Sequence, residues 1–126
     1  NTSDAITSAA YTISQNAGAK AIITFSVSGG TTSRMSKERA PVQIIGISPN
    51  INTARKLQIM WGVHSCHNQD ANDTKEMVSI ACSVAKDKKI TMPGDPVIIT
   101  AGVPFGHAGS TNLLRIAKII ADKDLT

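Results

Sequence analysis

Aromatic side chains are nearly missing. One Trp, one Tyr and two Phe make up 3% of the 126 residues. Single strands of nucleic acid are held largely by bases stacked on aromatic rings, so a base-stacking platform is excluded. Cysteine is equally scarce. Cys66 and Cys82 are too few for a disulfide scaffold and suit a reducing, cytoplasmic setting. No apolar run approaches the ~20 residues needed to cross a membrane as a helix. Charge of one sign is nowhere concentrated, because the 13 basic and 9 acidic residues are scattered and sum to +4. That mild excess suits a small anionic ligand and argues against nucleic acid, whose binding calls for a basic stripe. The first residue is Asn, not Met, which points to excision from a longer chain.

Apolar residues supply 41% of the chain, enough for one domain, residues 1–126, with a core of its own. Asp4 or Ser3 is placed to cap a first helix in which Ile6, Ala10, Ile13 and Ala17 recur at helical spacing, and Gly18 stops it. Ala21 to Phe25 is a short continuous apolar run, the mark of a strand covered on both faces. A helix is expected over Ser33 to Glu38, ended by Ala40-Pro41. A strand follows at Val42–Ile47. Next comes a helix capped by Asn50, with Ala54, Leu57 and Met60 or Trp61 on one face, so that Trp61 is expected in the core. Val63 to Cys66 is a brief strand. Asp73 and Glu76 have the spacing of a capping box at the head of a helix carrying Met77, Ala81 and Val84. Two more strands are expected, at Pro96–Ala101 and Leu113–Ile120.

Repeated strand–helix units with short connections predict an α/β fold: a three-layer α/β/α sandwich around a five-stranded, mostly parallel sheet. The last two strands are joined by a loop without a crossover helix, so the fifth should run antiparallel to its neighbour.

The segment between the first strand and the second helix holds the densest chemistry. Ser26-Val27-Ser28-Gly29-Gly30-Thr31-Thr32 leads from a buried strand into a helix N-terminus, which presents unpaired N–H groups and partial positive charge. Glycines admit a close-lying phosphate, and hydroxyls add donors. No Gly-Lys-Ser/Thr follows at Walker A spacing, so the loop suggests phosphate binding without phosphoryl transfer. The same residues also suit an ordinary strand–helix turn with a capping side chain. A second glycine-rich loop, Gly102 to Thr111, leaves a strand at the same edge of the sheet, where open α/β folds collect ligands. Its glycines suit either a ligand or a chain path with positive φ.

Four segments carry a resemblance to a known family: Ser28–Thr32 continuing through Ser36–Pro41; Ser48-Pro49-Asn50 with Thr53-Ala54-Arg55; Met60-Trp61-Gly62-Val63; and Gly94–Pro104 with Gly109–Leu113. Together with the first helix they cover nearly the whole chain, which resembles the C-terminal domain of pyruvate kinase, its bacterial members above all. The resemblance implies an effector-phosphate loop at Ser26, Val27, Ser28, Gly29, Gly30 and Thr31. It also implies an effector loop at Gly102, Val103, Pro104, Phe105, Gly106 and His107. Val27 stands where some members have a hydroxyl residue. Members activated by fructose 1,6-bisphosphate often carry an Arg and a Trp at positions held here by Met77 and about Asp70. A partner for a second phosphate is then missing, which favours a ribose or hexose monophosphate or AMP over a bisphosphate. The family's phosphoryl transfer between phosphoenolpyruvate and ADP, with Mg and K ions, takes place in a separate barrel domain that this chain lacks. The resemblance further implies contact with that catalytic domain and a tetrameric parent enzyme. On this basis the chain alone should be inactive, with no catalytic residue, cofactor or metal of its own.

The other chemistry-bearing residues have plainer explanations. His64, Cys66, His67 and Cys82 would make a metal site only if a helical, buried Cys82 turned towards a strand. His107 could meet a phosphate when protonated, but reads as a solvated loop residue. Asp70, Asp73 and Glu76 suit capping and solvation better than acid–base work. Two alternatives to an effector-binding domain remain: an assembly module that binds nothing, and a free-standing domain or small enzyme for a phosphorylated ligand. No nucleophile–base pair supports the enzyme.

Overall fold

The computed structural model describes residues 2–38, 41–102 and 111–119. In chain order they form α1 (Thr2–Ala17), β1 (Ala21–Phe25), α2 (Gly30–Lys37), β2 (Gln43–Ser48), α3 (Ile51–Leu57), β3 (Val63–His67), α4 (Thr74–Asp87), β4 (Pro96–Ala101) and β5 (Leu113–Lys118). The strands make one sheet in the order β3-β2-β1-β4-β5. β1 to β4 are parallel, and β5 pairs antiparallel with β4, Thr100 opposite Leu114. This is the expected α/β arrangement, with the antiparallel strand where the missing crossover helix places it.

The alternation of side chains along each strand assigns the layers. Ile22, Ile44 and Ile98 face α1 and α2, packing with Ala10 and Met35. Ile23, Ile45, Ile47, Val97 and Ile99 face the other way, onto Met77, Ala81, Cys82, Val84 and Ala85 of α4. Every residue of β1 is buried, as its unbroken apolar run requires. α3 joins the layer of α1 and α2: a β-carbon on Gly46 would stand 2.9 Å from Leu57 Cδ1 and 3.0 Å from Thr32 Cγ2.

Several helix signals in the sequence act as expected. Asn50 Oδ1 accepts from the amides of Asn52 at 2.9 Å and Thr53 at 3.1 Å. Asp73 Oδ1 accepts from the Glu76 amide at 2.8 Å. Glu76 does not complete the capping box; its carboxylate takes the Asn72 side-chain amide at 3.3 Å.

Other expectations change. The buried seam of α1 is Ser3, Thr7, Ala10 and Ser14, while Ile6 and Ile13 are half-buried and Ala17 is exposed. Hydroxyls can line this seam because the helix itself satisfies them: Thr7 donates to the Ser3 carbonyl at 2.9 Å and Ser14 to the Tyr11 carbonyl at 2.7 Å. The helix starts at Thr2, so Ser3 and Asp4 lie inside its first turn. α2 starts at Gly30, three residues earlier than the spacing suggests, and ends at Lys37.

Trp61 is half exposed instead of buried. After Leu57 the chain tightens: Gln58, Ile59 and Met60 donate to the carbonyls of Arg55, Lys56 and Leu57, three residues back. Overwinding of this kind rotates later side chains out of phase with the helix, carrying Trp61 off the core face. Ile59, 89% exposed, leaves with it. β5 ends at Lys118, two residues short of the expected Ile120.

Candidate functional site

β1 sits in the middle of the sheet, and the chain leaves it in both directions. Through α2, β2, α3 and β3 it builds one side; through α4 it returns to lay β4 against the other side of β1. The C-terminal ends of β1 and β4 therefore flank the point where the winding reverses, the place where open α/β sheets leave a crevice. The first glycine loop leaves β1 there, and Gly102 follows β4 in the neighbouring strand.

The first loop is built chiefly by its own backbone. Gly29 has φ 89°, a left-handed conformation that a side chain resists, and stands at the N-cap of α2 with no side-chain cap. The Gly29 amide donates instead to Ser26 Oγ at 2.8 Å, and the Gly30 amide reaches Ser28 Oγ at 3.4 Å. The loop's own serines thus take the first two amides at the start of α2, a helix end whose first-turn amides have no acceptor within the helix. Val27 is held from behind: its carbonyl accepts from Thr53 Oγ1 at 2.9 Å and from Ser48 Oγ at 3.4 Å.

Of the residues expected at the site, Ser26, Val27, Ser28 and Gly29 form the turn, and Gly30 and Thr31 open α2. Their side chains divide. Ser28 is exposed, whereas the Ser26 hydroxyl serves the loop and the buried Thr31 hydroxyl bonds that of Thr111. Gly102 ends the described part of the second loop; Val103, Pro104, Phe105, Gly106 and His107 lie outside the described residues.

Two contributors went unforeseen. Thr53 pins the loop from α3. Arg34 lies one turn along α2, its Nη1 4.0 Å from where a β-carbon on Gly30 would stand, and its Nε pairs with Asp4 Oδ1 at 3.2 Å. The spacing of Gly30 and Arg34, four apart on one helix, was the available signal.

Met77 is fully buried against the opposite face of the sheet, and Asp70 Oδ1 accepts from the Ala71 amide at 3.0 Å. His64 bonds Gln43 Oε1 at 2.7 Å, and His67 meets the Pro49 carbonyl at 3.0 Å. Cys66 packs half-buried beside the core and Cys82 is buried within it. Burial pushes the Cys66 thiol pKa up; Lys88 opposes this and Asp87 adds to it. Among the described residues no group of His, Cys, Asp or Glu is placed to hold a metal ion, and no helix is long and apolar enough to cross a membrane.

The fold defines an α/β domain with the first glycine loop at its β1–β4 switch point. A family model described as the alpha/beta domain of pyruvate kinase matches residues 4–117. The chain is 40% identical over 115 residues to a pyruvate kinase of Methylorubrum extorquens, covering 91% of this chain and 24% of the relative. It is 37% identical over 119 residues to that of Geobacillus stearothermophilus, covering 94% and 20%. A crystal structure of a pyruvate kinase from Cryptosporidium parvum superposes with a TM-score of 0.84 at 28% identity, over 94% of this chain and 23% of that one. A structure described as Cryptosporidium parvum pyruvate kinase in complex with ADP matches with the same score at 29% identity. The chain belongs to the pyruvate kinase family and corresponds to its C-terminal domain. It spans a fifth to a quarter of the length of these relatives.

Proposed function

We propose that this chain is a single regulatory domain of a pyruvate kinase, and that it binds a phosphorylated small molecule at Ser26–Thr31. The observation that carries the reading is the left-handed Gly29 turn, which presents the α2 N-terminus at the β1–β4 switch point. An anion there would gain from backbone donors and the helix dipole together, with Ser28 as a side-chain donor and Arg34 as the nearby cation. By the family resemblance, Gly102 to His107 would contact the rest of the effector.

A single phosphate fits best, as in a ribose or hexose monophosphate or AMP. At Met77, the position the resemblance assigns to the second-phosphate Arg of other members, this chain has an apolar side chain in the core. In this proposal phosphoryl transfer, with its Mg and K ions, belongs to the part of the relatives that the chain does not cover. The domain touches that catalytic part and helps assemble a cytoplasmic tetramer.

The test is thermal stability against inorganic phosphate, sugar monophosphates and bisphosphates, and nucleotides. A ligand at a hundredfold over its Kd should stabilise the fold by about 2.7 kcal/mol. An unmoved melting temperature across the panel rejects the effector reading. The internal use of the Ser26 and Thr31 hydroxyls favours the second reading, an assembly module without a ligand. It predicts that Ser28→Ala leaves regulation of the full-length enzyme intact.

A further inference from the structure

Three hydroxyl residues from distant parts of the chain meet behind the first loop. Thr31 is in the first turn of α2, Thr111 lies just before β5, and Ser3 is in the first turn of α1. Their exposures are 4%, 3% and 4%. The hydroxyls of Thr31 and Thr111 hydrogen-bond each other. The Thr111 amide donates to Ser3 Oγ at 2.9 Å, and Thr7 Oγ1 donates to the Ser3 carbonyl at 2.9 Å. A continuous polar path thus runs from the N-terminus of α2, through the residue that leads into β5, to the first turn of α1. Buried polar atoms are strongly penalised when they lose a partner, so the members of such a path hold one another in place.

We propose that Ser3, Thr31 and Thr111 form a buried tie that sets the position of the α2 N-terminus, coupling an anion in the first loop to order in the first turn of α1. Ser3 and Thr111 act as positioning residues, because their polar atoms are taken up within the tie. The ligand half of this inference rests on the phosphate reading of Ser26–Thr31; the structural half does not.

Hydrogen exchange on the 126-residue chain, with and without inorganic phosphate or ribose 5-phosphate, tests both halves. Thr111→Val cuts the Thr31 link but keeps the Thr111 amide on Ser3, so it should speed exchange at Thr31–Arg34, leave α4 unchanged, and weaken ligand binding about tenfold, the worth of one buried hydrogen bond. Thr111→Ser should restore both. If Thr111→Val does not fold, Ser3→Ala gives the same readout by removing the acceptor of the Thr111 amide. Unchanged exchange at Thr31–Arg34, or acceleration spread evenly over all elements, overturns the tie. If the unaltered chain binds no phosphate compound but the local acceleration appears, the phosphate reading fails and the tie stands. If it binds and Thr111→Val binds equally well, the coupling fails and the phosphate reading stands.

Discussion

Leu57 of α3 lies directly on the backbone of Gly46 in β2, so close that a β-carbon there would sit 2.9 Å from Leu57 Cδ1. Thr32 closes the other side at 3.0 Å, and both Leu57 and Thr32 are fully buried. Gly46 is therefore the notch that lets α2 and α3 share one face of the sheet. Gly46→Ala should overpack this junction and cost about 1–3 kcal/mol, read as a lower urea midpoint at unchanged m-value.

Gly29→Ala meets two obstacles. The position has φ 89°, and its β-carbon would press Leu57 and Thr53 at 3.3 Å. A residue other than glycine in the left-handed region costs about 1–2 kcal/mol. Because the same turn sets the start of α2, phosphate affinity should fall by more than the stability loss accounts for. Titration of the folded variant with ribose 5-phosphate checks this.

Thr100 presents the opposite case. It is fully buried in β4, and its hydroxyl finds no partner among the described residues. Its neighbour across the strand pair, Thr24, bonds Thr32 Oγ1 at 2.7 Å. Thr100→Val keeps the shape and removes the unpaired hydroxyl, so it should raise stability by about 1 kcal/mol. Thr24→Val should lower it, since it orphans Thr32. Paired urea denaturation curves separate the two outcomes.

Cys66 should give stability a pH dependence in the alkaline range. Burial holds its thiol above the ordinary value, which the unfolded chain recovers. The folded state therefore keeps its proton to higher pH than the unfolded state does. That contribution is complete below the unfolded pKa and is lost as pH rises through the folded one. Between pH 7 and 10 the urea midpoint should fall more for the natural chain than for Cys66→Ala.

Asn50 offers the cleanest local test. Its side chain takes two first-turn amides of α3, and that turn carries Thr53, whose hydroxyl holds the Val27 carbonyl. Asn50→Ala should cost about 1 kcal/mol, as lost caps do. It should also loosen the first loop, seen as faster exchange of the hydrogen-bonded Ser26 and Gly29 amides.

Much of this architecture was legible in the order of residues, because its causes are local. The run Ala21–Phe25 announces a central strand, Asn50 and Asp73 announce helix starts, and the lack of a crossover segment before Leu113 announces an antiparallel strand. The buried face of α1 was not legible. Hydrophobic periodicity sees Ile6 and Ile13 but not Ser3, Thr7 and Ser14, of which Thr7 and Ser14 bond to their own helix and so bury cheaply. Trp61 was misplaced because a helical period presumes the helix continues, whereas the turns after Leu57 tighten.

The candidate loop divides along the same line. That Ser26–Thr31 would be a glycine turn between strand and helix follows from residue types, since conformational freedom and hydroxyl donors belong to each residue alone. That β4 returns to the side of β1, so the loop opens on a switch point, is a property of the whole winding. That the Thr31 hydroxyl turns inward to Thr111, 80 residues away, is another. Packing chose those partners: a buried hydroxyl must be satisfied, and only the assembled sheet brings a distant one within reach.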